Sequence, residues 1–120
     1  MDSILTSIKK LLGISEEYEH FDADIVMHIN TVFSILKQLG VGPDEGFYIS
    51  DKTAVWSDYL DDTAMVEMVK TYIYLKVKMM FDTSTMTGSA ISSTESLISE
   101  LEWRLNVECD HGGKKTNESD

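Results

Sequence analysis

Few residues in this chain could do covalent or metal chemistry, namely the histidines His20, His28 and His111 and a single cysteine, Cys109. Asp24 and His28 stand one helical turn apart, and with His20 or Asp22 nearby they could hold the metal of a small hydrolase. A tetrahedral site asks for three or four ligands, each fixed by outer hydrogen bonds. Solvated polar residues at the start of a helix account for the pair more simply. Cys109 and His111 lie two apart in a terminal segment without a second ligand pair, and a nucleophilic thiol needs a base held beside it. Adjacent acids occur at Glu16 and Glu17, Asp44 and Glu45, and Asp61 and Asp62. General acid–base work needs two carboxylates in different environments so that their pKa values separate. These pairs fall in loops or helix starts and read as surface charge. The chain also has no G-x-x-x-x-G-K-[ST], no G-x-G-x-x-G and no G-x-S-x-G, so it shows neither a phosphate cradle nor a nucleophile elbow. Nothing points to an enzyme, a cofactor or a metal.

The elements that would position such residues are helices. Residues 2 to 12 predict a short amphipathic helix, with Ile4, Leu5, Ile8, Leu11 and Leu12 on its apolar side. Ser3 or Asp2 would cap it, and Gly13 would stop it. A second helix is expected from Asp22, its cap, to Gly40, its stop, with Phe21 stapled onto Val26. There Ile25, Val26, Ile29, Val32, Phe33, Leu36 and Leu39 share one arc, and Asp24, Asn30, Thr31, Ser34 and Gln38 lie opposite. Residues 41 to 62 break the pattern into turn residues, one short extended FYI segment and a helical turn in TAVWSDYL. Residues 64 to 81 form the most apolar stretch, a central helix packed on most sides, with a narrow wet stripe of Glu67, Lys70, Thr71, Tyr74 and Lys78. After a Ser/Thr-rich loop from Asp82, Ser92 and Glu95 make a capping box for a last helix ending near Val107. Beyond Glu108 the sequence offers almost nothing apolar to anchor it and reads as disordered.

The fold expected is therefore all-α. It is a bundle of about four helices with a central apolar helix, an irregular insertion between helices two and three, one domain over residues 1–108 and a flexible tail over 109–120. At 120 residues the chain is one unit. A lone cysteine excludes an internal disulfide, and the N-terminus has no secretory pattern, so a reducing cytosol is the expected place of synthesis.

Charge carries more information than any single motif. Ten basic residues against 21 acidic ones give a net charge of -11, a field that repels phosphate backbones and anionic lipid. Residues 14 to 63 hold eleven acids and two bases, whereas residues 64 to 81 hold one acid and three lysines. Such segregation suits a solubilising surface, or a negative face turned toward a polyanion or a basic partner. Lys76 lies opposite the wet stripe of its helix, where a lysine must snorkel, pair or meet a partner. In the last helix Leu97, Ile98, Leu101 and Leu105 make one apolar face while Trp103 and Val107 lie on another. One face packs internally, leaving the other for a protein partner or for the preceding loop.

The runs GPDEGFYISDKTAVWSDYLDD, VKTYIYLKVKMMFD and ISELEWRLNVE resemble small head-to-tail adaptor proteins of tailed bacteriophages, also called head-completion or connector proteins. The resemblance covers about residues 2 to 108. Where many relatives follow the FD of the central helix with two prolines, this chain has Thr83, Ser84 and Thr85. The resemblance implies a virion protein: a helical subunit assembled as a ring, expected to be twelve-fold, under the portal at the capsid vertex. Such a ring extends the DNA channel without specific binding and offers a surface to the next neck or tail protein. Lys70, Lys76, Lys78, Trp103 and Arg104 are the expected contacts with other subunits or the portal. Asp44, Glu45, Asp58, Asp61 and Asp62 are the expected channel-facing acids. An acidic protein that mimics DNA and occupies a basic host protein is the alternative from another class.

Overall fold

The computed structural model describes residues 3–82 and 87–118, the side chains of 81, 82 and 109–118 excepted. Five helices follow one another: α1 (Ile4–Leu12), α2 (Asp22–Gln38), α3 (Trp56–Tyr59), α4 (Thr63–Asp82) and α5 (Gly88–Glu118). Among the described residues there is no strand, only an isolated antiparallel bridge between Ser3 and Val55. The bundle is all-α, with α4 in contact with α1, α2 and α5.

The ends of α1 and α2 are closed by one device. Gly13 and Gly40 take left-handed backbone angles, φ +81° and +89°. In each case the glycine N–H returns to a carbonyl three residues back, and the next residue, Ile14 or Val41, donates to a carbonyl five back. This satisfies carbonyls that a helix end otherwise orphans, and it turns an apolar residue back onto the helix. Ser3 caps α1, accepting from the Thr6 N–H; the alternative cap, Asp2, lies outside the described residues.

Several predicted details differ. Asp22 sits inside α2 and pairs elsewhere, leaving Phe21 at the cap position without a side-chain cap bond. In α1, Leu11 is exposed while Ser7 and Lys9 are buried. Ser7 is covered by Trp56, whose indole N–H donates to its Oγ at 3.1 Å; Leu11, in the next turn, lies beyond that cover. The last helix starts four residues before Ser92 because Thr87 is its cap, with Oγ1 accepting from the Ala90 N–H at 3.1 Å. Its backbone also runs past the predicted end near Val107 to Glu118. No proline interrupts that ladder, and each added residue extends an existing helix without a new nucleation step. The loop residues Thr83, Ser84 and Thr85 lie outside the described residues, as do the side chains of Cys109 and His111.

The core is formed by Ile4, Leu5 and Ile8 of α1, Ile25, Ile29, Val32, Phe33 and Leu36 of α2, Val66, Val69, Tyr72, Ile73, Leu75 and Val77 of α4, and Ile98, Leu101 and Leu105 of α5. The irregular segment between α2 and α4 is tied down at three points. Ile4 N–H donates to the Ala54 carbonyl at 2.9 Å beside the Ser3–Val55 bridge. Phe33, Phe47 and Tyr59 pack as three tilted rings with centroids 4.7 to 5.1 Å apart. Asn30, predicted on the wet side of α2, is turned to this segment: its amide donates to the Ile49 carbonyl at 2.9 Å and accepts from the Ile49 N–H at 2.7 Å. One side chain thus does for the extended FYI backbone what a neighbouring strand would do. Gly42 is required beside it, at φ +92°, because a Cβ there would stand 2.7 Å from the Tyr59 ring.

Candidate protein-interaction surface

Two surfaces collect the residues singled out by the sequence, and they lie on opposite flanks of the α4–α5 pair. The first is a cleft of about 390 Å³ between α3 and the N-terminal half of α4, lined by Trp56, Ser57, Leu60, Asp61, Thr63, Val66, Glu67 and Lys70. Its floor is apolar, and its rim carries Asp61 and Glu67 against Lys70. The Lys70 ammonium lies 5.7 Å from the centre of the Trp56 ring and 3.5 Å from Glu67 Oε2. A cation over an indole face adds a modest attraction at a partly open site. Trp56 itself is buried, and its N–H is satisfied by Ser7.

The second surface is the outer side of α5. Trp103 is 67% exposed, and Val107, one turn on, is also exposed. Between them Arg104 forms an ion pair with Glu100 at 2.9 Å, both side chains more than half exposed. Leu97 is exposed as well, in contrast to its predicted place on the packed face. It lies about 75° around the helix from the centre of the Ile98, Leu101 and Leu105 face, at the edge of what α4 can cover.

Lys76 and Lys78 are not brought to either surface. Lys76 is half-buried in a second cleft, between the C-terminal part of α4 and α5, with Met79, Met80, Glu95, Ile98, Ser99 and Glu102. Glu102 also accepts from the Tyr72 hydroxyl at 2.7 Å, and burial, reinforced by that carboxylate, pushes the Tyr72 phenol well above its ordinary range. Lys78 lies over Tyr74 of its own helix, 5.8 Å from the ring centre. All five acids expected to face a channel are exposed, and two have local duties. Asp58 accepts from the Val55 N–H at 2.9 Å and Asp62 from the Met65 N–H at 3.1 Å, each capping the start of a helix. Asp44 and Glu45 project from the turn around Gly46. Asp24 and His28 gain no cluster of three or more metal-ligating groups among the described residues.

One polar centre leaves no sign in the sequence. Lys9 is 2% exposed, and its ammonium donates to the carbonyls of Glu16 at 3.0 Å and Tyr18 at 2.8 Å. Asp22 Oδ1 stands 2.8 Å away, an ion contact outside hydrogen-bond alignment. Two of the acceptors are backbone atoms of an irregular loop, so residue spacing holds no trace of them.

No helix among the described residues is long and apolar enough to cross a membrane. No curated protein and no solved structure matches the chain significantly. Over residues 4–112, however, it matches the family described as phage connector protein, a span that holds α1 to α4, most of α5, the α3–α4 cleft and the outer ridge of α5. With nearly the whole fold inside that match, the chain belongs to the phage connector protein family.

Proposed function

We propose that this protein is the head–tail adaptor of a tailed phage: a subunit that closes a homo-oligomeric ring, docks on the portal, extends the DNA channel and presents the attachment surface for the next neck or tail protein. The observation that carries this reading is the family match over residues 4–112. The surface fits it physically. Apolar side chains that a monomer would gain by hiding stand in solvent on α5, and larger exposed apolar patches mark contact with other proteins. Lys70, Trp103 and Arg104 are the proposed contact residues between subunits, and Lys76 and Lys78 are proposed for the portal side. Asp44, Glu45, Asp58, Asp61 and Asp62 supply the negative charge proposed for the channel, where like charge lets a duplex slide without sticking. In this role the chain works in the virion neck, after synthesis in the bacterial cytoplasm.

The test is electron microscopy of lysates from a phage with a stop codon early in this gene, complemented in the control. The expected result is heads separated from finished tails and unable to retain their DNA. Normal, infectious virions would remove the adaptor reading and leave an acidic regulator that binds a basic host protein.

A further inference from the structure

Resting on the adaptor reading, we infer that the outer ridge of α5, Trp103 with Arg104 and Val107, inserts into the α3–α4 cleft of the next copy of the chain, so that Trp103 lies beside Trp56 and Lys70 across the subunit seam.

Direction is the first support. Tyr72 and Lys76 mark the side of α4 that faces α5, since one bonds Glu102 and the other shares a cleft with Glu95 and Glu102. Glu67 and Lys70, on the cleft, lie roughly 170° around α4 from that side at 100° per residue. On α5, Trp103 and Val107 lie about 150° to 170° from the face formed by Ile98, Leu101, Leu105 and Glu102. Cleft, α4, α5 and ridge therefore follow one another across the subunit, concave at one end and convex at the other. Two different patches on opposite flanks give a head-to-tail contact, and such contacts close into rings when the rotation allows.

Chemistry is the second support. The cleft, at about 390 Å³ with an apolar floor, can take one large aromatic side chain whose polar edge stays at the rim. The rim charges are arranged to exchange. Within a subunit Arg104 pairs with Glu100 in solvent, where such a pair is weak, and half-buried Lys70 meets exposed Glu67 at a long 3.5 Å. On docking, Arg104 meets Asp61, and Glu100 meets Lys70, so no charge is buried alone. On this inference Asp61 leaves the acids proposed for the channel, which are then Asp44, Glu45, Asp58 and Asp62.

The experiment uses the full chain assembled on the portal of the same phage, with circular dichroism to check each variant's fold. Arg104→Glu and Asp61→Arg, both on exposed side chains, should each lower the assembled fraction at least about tenfold while staying helical, because each sets like charges against one another. The double variant, with both charges exchanged, should return most of the assembly. Trp103→Ala should fold and fail to assemble. If Arg104→Glu assembles as wild type does, or the double variant stays as defective as the singles, the contact is elsewhere and the inference falls while the adaptor reading stands. If the wild-type chain never joins the portal as a ring, both fall together.

Discussion

At the junction of α1 and α2 a lysine is buried, while on the outer face of α5 a tryptophan stands in solvent. Hydrophobicity alone would exchange them. Lys9 goes inside because the loop after α1 offers it two carbonyls and the start of α2 sets the Asp22 carboxylate beside it, in place of the water it gives up. Trp103 stays outside because it lies on the side of α5 turned away from α4, and the partner proposed for its ring is the next copy of the chain. Trp56 makes the contrast sharper, since the same residue type is buried where Ser7 satisfies its N–H and the α1, α3 and α4 side chains enclose its ring. Burial is decided by what neighbours supply, not by hydrophobicity alone.

The largest effect expected is from Trp56→Ala. Removing a buried indole should cost about 3–5 kcal/mol in denaturant unfolding and open the floor of the cleft. Lys9→Ala should follow at about 3 kcal/mol, because the carbonyls of Glu16 and Tyr18 lose a charged donor and Asp22 loses the cation beside it. A loss under about 1 kcal/mol would mean that water replaces the ammonium, and the comparison with Trp103 would weaken. Asn30→Ala should cost about 2 kcal/mol by leaving the Ile49 backbone unpaired, and should raise hydrogen exchange in residues 47–50 more than elsewhere.

Tyr72 supplies a pH test of the α4–α5 contact. Its folded pKa is raised, so its contribution to stability is complete below its unfolded pKa of about 10 and is lost as pH rises above that value. The unfolded chain releases this proton first and is favoured by alkali. Tyr72→Phe should cost about 1 kcal/mol near neutrality and remove this part of the alkaline loss. Unchanged alkaline sensitivity in the variant would assign it to other groups. The smallest effect on folding is expected from Trp103→Ala, within about 0.5 kcal/mol of wild type.

Much of the scaffold was legible because it follows helical periodicity. The apolar arcs of α2 and α4 and the stops at Gly13 and Gly40 are local signals, and the structure carries them where the pattern predicts. The start of α5 was harder, since Thr87 and Ser92 are both competent caps and only one can begin the helix. Lys9, Asn30 and Tyr72 escaped for a different reason: their partners are backbone atoms of irregular loops or a carboxylate thirty positions away, and spacing encodes neither. Of the two surfaces, the α5 ridge was visible as a second apolar face on one helix. The α3–α4 cleft was not, because Trp56 read as part of a connector until Ser7 and Lys70 closed around it.

The most direct test of the central claim is a cryo-electron microscopy reconstruction of the neck of the wild-type virion. It should contain a ring of this chain beneath the portal, with Trp103 of each subunit lodged in the cleft bordered by Trp56 and Lys70 of the next. A neck that lacks the chain, or a ring in which Trp103 faces solvent and the cleft is unfilled, would contradict it.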